Sequence, residues 1–308
     1  MGSVKDLRIV EEATAEGLGR GQFIFSDRYS VFDWGEMPDH IPNKGAAIAL
    51  LGAYFFEKLE EKGIRTHYLG LVEDGAVKRL SQLRQPANTM EVRLLEVIKP
   101  RFDGCQYDYS AYQHRPQGGF LIPLEVIYRN YLPEGSSVFR RLQKGELAPE
   151  DLGLAAPPVP GQKLEPAFID FSTKLEITDR YLSASQAQAI SGLSDAEMVA
   201  LKDLVLAIES LITQEFARVG LVNEDGKFEF GLDEDRNLVV VDVLGTLDEC
   251  RFTYQGLPLS KEIARIYYRQ SQWYQAVEEA KQKDRQHWKE ICRLGPEPLP
   301  PELRAAIS

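Results

Sequence analysis

The sequence predicts an α+β fold, with antiparallel hairpins and helices segregated along the chain. Three observations carry that prediction. Apolar runs at 227–230 and 238–243 are joined by the tight turn Asp233-Glu234-Asp235-Arg236-Asn237, which reads as a hairpin. One long amphipathic helix is expected at 195–219. Hydrophobic residues are 44% of the 308, with 13 Tyr and 14 Phe, enough to bury a core and to exclude a disordered chain. Strand and helix signals do not alternate regularly, which argues against a doubly wound parallel sheet.

Taken in order, Phe23-Ile24-Phe25 is a short strand that follows a turn marked by Gly17, Gly19 and Gly21 and ends at Ser26-Asp27-Arg28. After Pro42-Asn43-Lys44-Gly45, a helix is expected at 46–62, because Ile48, Leu51, Tyr54, Phe55 and Leu59 recur with a helical period and Gly63 stops it. Strands are expected at 66–71 and 91–98. Residues 99–119 hold Pro100, Gly104, Pro116, Gly118 and Gly119 and read as an irregular insertion beside a domain boundary. The expected units are therefore 1–120 and 121–308. The β-branched and aromatic run 123–129 is a strand, and the Pro- and Gly-rich stretch 151–163 a loop. Ser194 caps the long helix with Glu197 completing a capping box; Leu201, Leu204, Val205, Ile208, Leu211, Ile212 and Val219 form its apolar stripe, and Gly220 ends it. A helical stretch is expected at 261–292, followed by a Pro-rich extended arm.

The chain has 36 basic and 47 acidic residues, a formal charge of −11. That disfavours nucleic acid as a partner, because such affinity comes from neutralising phosphates. An anionic ligand would need a locally basic pocket. No apolar run approaches the roughly 20 residues of a membrane span, and no apolar stretch follows a basic start as in a signal peptide. The three cysteines, Cys105, Cys250 and Cys292, form no C-x-x-C pair, and His40, His67, His114 and His287 are scattered. These features favour a cytoplasmic protein with reduced thiols and no zinc or histidine-based metal site. A homo-oligomer is compatible with the sequence.

Three segments could carry chemistry. On a strand, Asp225, Lys227 and Glu229 of Asp225-Gly226-Lys227-Phe228-Glu229-Phe230-Gly231 share one face, and a hairpin can bring Asp242 beside them. Carboxylates on facing strands suit Mg²⁺, which takes hard oxygen ligands and shares its shell with phosphates. A solvated hairpin face with alternating charges explains the same spacing, and on spacing alone has a slight edge. Pro123-Leu124-Glu125-Val126-Ile127-Tyr128-Arg129, followed by Gly135-Ser136-Ser137, is a candidate phosphate cradle; taken alone, it reads as an edge-strand arginine before an ordinary turn. Ser26-Asp27-Arg28-Tyr29-Ser30-Val31-Phe32-Asp33 and Ile41-Pro42-Asn43-Lys44-Gly45 end at a helix N-terminus, where anions are favoured, and equally fit a plain strand-to-helix turn. Ser172-Thr173-Lys174 with Asp179, and Asp248-Glu249-Cys250-Arg251, are weaker candidates for anion binding.

Together these segments, in this order, resemble the phosphoribosylaminoimidazole-succinocarboxamide synthase (SAICAR synthetase) family. Gly2-Ser3-Val4-Lys5-Asp6 is similar to its opening Gly-Lys-x-Lys-Asp loop, with Ser3 where the first lysine stands. The Ser-Asp-Arg and Ile-Pro-Asn-Lys-Gly segments, Pro123–Arg129 with Gly135-Ser136, Thr173-Lys174 and Asp225–Gly231 match the motifs that follow. Thr178 precedes Asp179 where the family has His-Asp, and Val241-Asp242-Val243 replaces Gly-Asp-Glu. The resemblance implies a two-domain fold with an ATP-grasp or kinase-like nucleotide cleft between a small N-terminal antiparallel sheet domain and a larger C-terminal α+β domain. It implies a purine-biosynthetic ligase that joins carboxyaminoimidazole ribonucleotide to L-aspartate, converting ATP to ADP and phosphate through an acyl phosphate. By resemblance, Glu229 and Asp242 hold Mg²⁺ and ATP, and Lys5 and Ser3 lie in the ATP loop. Arg129, Ser136 and Arg251 grip the ribonucleotide phosphate, Glu125, Asp225 and Lys227 sit at the reacting carboxylate, and Lys174 and Asp179 bind aspartate. The pocket is expected to be positive, built from Lys5, Arg129, Lys174, Lys227 and Arg251. A kinase-like phosphotransferase and a non-catalytic nucleotide-binding homologue are the alternatives on the same fold.

Overall fold

The computed structural model describes residues 4–14, 17–113, 115, 117–259, 261–285 and 287–307. Strands β1 (Lys5–Glu11) and β2 (Gly19–Phe25) form a hairpin; helix α1 (Lys44–Glu61) and strands β3 (Tyr68–Glu73), β4 (Ala76–Lys78) and β5 (Thr89–Leu94) follow. The strands make a five-stranded antiparallel sheet in the order β1-β2-β5-β3-β4. Helix α1 buries Ile48, Phe55 and Leu59 of the stripe its periodicity marked, together with Ala53 and Phe56, while Leu51 and Tyr54 are only partly buried. It begins at Lys44 rather than Ala46, and its entry is held by the Asp27 carboxylate, which accepts from the N–H groups of Asn43 (3.1 Å) and Gly45 (3.0 Å).

The 99–119 segment is more ordered than its composition suggested. It contains a two-stranded hairpin, β6 (Arg101–Phe102) with β7 (Tyr107–Asp108), and the short helix α2 (Ser110–Gln113). Asp103 makes the hairpin turn by accepting from the N–H groups of Cys105 and Gln106, each at 2.8 Å.

The larger sheet is built from β8 (Phe120–Leu132), then, past helix α3 (Ser137–Gln143), β9 (Gln162–Thr173) and β10 (Tyr181–Leu182). Helices α4 (Ala184–Ser191) and α5 (Asp195–Ala217) precede β11 (Leu221–Leu232), β12 (Leu238–Val241), β13 (Cys250–Tyr254) and β14 (Leu257–Pro258). Its seven strands run β10-β9-β8-β11-β13-β14, with β12 also paired to β11. Helix α5 carries the predicted capping box and buries Leu201, Val205, Ile208, Leu211 and Ile212 against the sheet, but it ends at Ala217, so Val219 of the expected stripe lies beyond it and is exposed. The two sheets meet through the main chain: His67 N–H donates to Val240 O (3.0 Å), Val240 N–H to Arg65 O (3.0 Å) and Leu121 N–H to Glu96 O (2.9 Å). One apolar core runs through both, from Phe55 and Met90 to Val126, Phe228 and Ile208.

The C-terminal stretch departs from the single helix expected. It breaks into α6 (Lys261–Tyr268), α7 (Gln272–Lys283) and α8 (Trp288–Ile291), and a last helix, α9 (Pro301–Ile307), follows the Pro-rich tail. Ser271 starts α7 as an N-cap, accepting from Tyr274 N–H at 3.1 Å. Nor is the tail a free arm: Leu299 is buried, and Glu297 O accepts from the Tyr268 hydroxyl at 2.7 Å. These helices build a second core, Ala264, Tyr268, Trp273, Val277 and Trp288 closing on Tyr29, Val31, Met37 and Ile41. The loop before α1 is thus clamped by the far end of the chain. Among the described residues, no helix is long and apolar enough to cross a membrane.

Candidate active site

Strand register builds the site. Strand β11 pairs along one edge with β8, which places Asp225 opposite Arg129 and Glu229 opposite Glu125. Along its other edge it pairs first with β13, placing Asp225 opposite Arg251, and then with β12, placing Glu229 opposite Val241. Between these two partners the edge opens at Lys227, whose N–H donates to Glu249 O at 3.2 Å. The loop connecting β12 to β13 fills that opening and brings Asp242 and Glu249 to it, while its Asp248 pairs with Lys44 at the start of α1. Gly226 is required at the switch, since a Cβ there would lie 2.5 Å from the Tyr128 hydroxyl and 2.7 Å from Cys250 Sγ.

Lys227 is the centre of the arrangement. Its Nζ donates to Glu125 at 2.8 Å and to Glu229 at 3.3 Å, and pairs with Glu249 at 3.3 Å. Glu125 and Glu229 face each other across the strands, a repulsive pair that the shared lysine relieves. The second oxygen of Glu229 pairs with Lys174 at 2.6 Å, and Lys5 pairs with Asp242. Burial, with Asp242 beside it, raises the pKa of Glu229. Burial acts on Asp242 in the same direction, but Lys5, Lys227 and Lys174 outweigh it and hold that carboxyl below the ordinary range. Asp242 also has a left-handed backbone, φ 61°, a conformation that costs a non-glycine residue about 1–3 kcal/mol.

A second cluster lies next to it. Arg251 holds Asp225 with two N–H groups, Nε at 2.7 Å. Arg129 donates to Asp225 at 3.5 Å, to Asp170 at 3.1 and 3.3 Å, and to the Ser137 hydroxyl at 3.3 Å. Arg141 joins Asp170 from α3, its guanidinium 4.2 Å from the centre of the Tyr181 ring. Ser136 is buried and caps α3, its hydroxyl accepting from Val138 N–H at 3.4 Å. Asp179 stands at the rim; recession among protein atoms, together with Glu125 and Asp33, pushes its carboxyl up to about 6, although much of its surface still meets water. A cavity of about 1020 Å³ extends from this side, lined by Arg141, Asp170, Asp179 and Tyr181 among others.

The structure thus brings together Glu125, Lys174, Lys227, Glu229, Asp242 and Lys5, and sets Asp225, Arg129 and Arg251 beside them. Ser3 lies outside the described residues. The solvated-face reading of the 225–229 strand is overturned, because Asp225 and Glu229 are each 5% exposed. The helix N-terminus expected to attract an anion is already served by the chain's own Asp27. The pocket is not simply positive either: all five predicted cations rest on carboxylates, those of Asp242, Asp170, Asp225, Glu229 and Glu125. Sequence reasoning missed Asp170, Arg141 and the role of Glu249. The one signal was Asp170, a lone acid in an apolar run, whereas Arg141 and Glu249 each stand beside a like charge, and the partners are 29 to 41 residues away for Asp170 and 22 for Glu249.

Carboxylates held by lysines, with the arginine-clamped acids Asp225 on the same strand and Asp170 on β9, equip one cleft to handle phosphates and carboxylates together. Such a cleft suits an enzyme that brings phosphate and carboxylate groups together. The SAICAR synthetase family profile matches residues 13–285. A chain of Archaeoglobus fulgidus, provisionally named phosphoribosylaminoimidazole-succinocarboxamide synthase, is 54% identical over 308 residues, covering 100% of this chain and 90% of its own length. The synthase of Thermoplasma acidophilum is 33% identical, over 85% of this chain and 82% of its own. Among solved structures, a Saccharomyces cerevisiae SAICAR synthase complexed with SAICAR has a TM-score of 0.64 at 22% identity, covering 100% of this chain and 89% of that one. A SAICAR synthetase in complex with ADP has a TM-score of 0.61 at 21% identity, covering 96% and 98%. The chain belongs to the SAICAR synthetase family, and its fold is the two-domain α+β fold of that family.

Proposed function

We propose that this chain joins carboxyaminoimidazole ribonucleotide to L-aspartate with ATP, as the ATP-dependent ligase of purine biosynthesis that forms SAICAR, ADP and phosphate. The observation that carries this reading is the β11 constellation, in which Lys227, Glu229, Asp225 and the neighbouring Asp242 converge at the strand's change of partner. The γ-phosphoryl group passes to an oxygen of the substrate carboxylate. The aspartate amine then forms the C–N bond, phosphate leaves from the acyl carbon, and the amine gives up a proton. Such transfer is mainly a matter of positioning and charge neutralisation.

In this reading Lys5, Lys227 and Lys174 neutralise the nucleotide phosphates and the reacting carboxylate. Asp225 holds Arg251, and with it Arg129, toward the ribonucleotide phosphate beside Ser136, and Glu125 orients Lys227. Lys174 and Asp179 receive aspartate. The donor set fits magnesium: Glu229, which is buried, and Asp242, which is partly buried, are neighbouring carboxylates that feel each other's charge. A site of two carboxylates suits an ion that completes its shell with water and phosphate oxygens. Bound there, Mg²⁺ would offset the charge that develops on the phosphates. Residues 1–120 would carry the nucleotide and 121–308 the other two substrates. The unpaired thiols fit a cytoplasmic setting.

The test is ADP release measured with all substrates, then with the ribonucleotide and aspartate each omitted in turn. Dependence on both is expected. Turnover without aspartate would instead identify a phosphotransferase, and no turnover a binding protein.

A further inference from the structure

His67 lies just before β3, at the seam between the two sheets. Its N–H donates to Val240 O of β12 at 3.0 Å and its carbonyl accepts from Arg93 N–H of β5 at 2.7 Å, so its backbone is fixed to both sheets. The side chain is 3% exposed, packed against Phe56 and Phe23 with ring centroids 5.4 and 5.7 Å away. The imidazole Nε2 stands 2.9 Å from the main-chain oxygen of Asp242. That oxygen only accepts, so Nε2 carries the proton and donates.

The bond matters because of what Asp242 is. Its backbone is left-handed, a conformation that a non-glycine residue keeps only when its surroundings impose it. His67 holds the carbonyl side of the residue and Lys5 the carboxylate side. The ring of Phe23 backs both, with Lys5 Nζ 4.8 Å from its centre. The strained residue is therefore gripped at two points by groups that share one aromatic wall.

We propose that His67 is a positioning residue for Asp242, fixing its backbone so that the carboxylate is aimed at Lys5 and at the place taken by magnesium and ATP. The proposal rests on the ligase reading above. Groups that orient a metal-binding carboxylate from behind typically matter 10- to 100-fold, so His67→Leu is expected to weaken magnesium ADP binding, measured by calorimetry, by about 10-fold or more. The KM for ATP should rise in parallel while the KM for the ribonucleotide stays within about twofold, since the effect is confined to one carboxylate. His67→Gln, whose amide N–H can reach the same oxygen, should recover most of the loss.

A readout on the unmodified protein stands beside these variants: long-range ¹H–¹⁵N spectra of its histidines should show His67 as the Nε2–H tautomer. Finding the Nδ1–H tautomer would overturn the proposal. So would unchanged magnesium ADP affinity in a folded His67→Leu, or an equal loss for the nucleotide and the ribonucleotide in both variants. If His67→Leu does not fold, His67→Gln and the tautomer decide. Failure of the unmodified protein to bind magnesium ADP would sink the ligase reading, and the tautomer would still decide the His67–Asp242 bond.

Discussion

At the residue scale, the carboxylates of this site differ in what their charge does for the fold. Asp242 sits between an attraction to Lys5 and a repulsion from Glu229, so neutralising it removes both. Asp242→Asn is expected to cut turnover by at least about 100-fold, the scale of losing a group that organises transition-state charge, and to lower the thermal midpoint at neutral pH, because the lowered pKa shows that attraction to the lysines outweighs the repulsion. Asp225 is different, since Arg251 and Arg129 both depend on it in a buried setting. Removing one partner of such a pair leaves charge uncompensated, so Asp225→Asn should cost about 3–5 kcal/mol in unfolding free energy as well as activity. Asp179 supplies a pH signature. Its folded pKa is raised, from 3.8 to about 6, so the protonated form is favoured by folding. Its contribution to stability is therefore full below the unfolded value and lost as the pH rises through about 6. The thermal midpoint of Asp179→Asn relative to the unmodified protein should accordingly be more favourable at pH 7.5 than at pH 4. The opposite order would mean that the carboxyl is held by its lysine neighbours and not by the acids.

At the element scale, helix α5 shows a local rule tied to the global fold. Ser194 accepts from Glu197 N–H, and the Glu197 carboxylate accepts from Ser194 N–H at 2.8 Å and from Arg236 at 2.8 and 2.9 Å. Arg236 is in the turn between β11 and β12, so the cap also anchors the hairpin that carries the site. Ser194→Ala should lower the unfolding free energy by about 1 kcal/mol and leave the KM values unchanged, as a chemical denaturation series with steady-state kinetics would show. This helix was legible in the sequence because period and cap agree, α1 because its period ends at Gly63, and the β11–β12 hairpin because two apolar runs flank a polar turn. Strand β9 was not. It carries Lys163, Glu165, Pro166 and Asp170 in a strand whose second half is buried, so its hydrophobic alternation is broken by an acid that Arg129 and Arg141 neutralise from elsewhere. The site divides the same way. Asp225, Lys227 and Glu229 follow from a period of two along one strand, whereas Glu249 and His67 gain their meaning from strand order, which no local pattern states. The breaks in the C-terminal helices are also tertiary: Trp273 and Trp288 each turn toward the loop at 29–41, and one straight helix could not present both.

At the scale of the whole molecule, a charge of −11 and three anionic substrates are in conflict until the charges are placed. Part of the surplus is on the surface, at Glu11, Glu12, Glu61, Glu146, Glu150, Glu234 and Asp235. The cleft itself is nearly balanced, because Lys5, Lys174 and Lys227 are engaged with Asp242, Glu229 and Glu125. Lysines so engaged cannot give their full attraction to a phosphate, and the carboxylates they hold repel it. A divalent cation on Glu229 and Asp242 would cancel that repulsion and release the lysines at once, which would make ATP and metal binding strongly interdependent. The charge arrangement can be tested without turnover. Nucleotide affinity should be low for ATP in the presence of a chelator, and the double variant Glu229→Gln, Asp242→Asn should bind that metal-free ATP more tightly than the unmodified protein does. Charges a few ångströms apart interact by about 4 kcal/mol at an effective dielectric of 20, so a gain of about 10-fold is a modest expectation for removing two of them. High salt should shrink the difference, because part of the repulsion acts through solvent. If the unmodified protein held chelator-treated ATP as tightly as the double variant, the two carboxylates would not face the phosphates, and the cleft's cations would have to be reassigned.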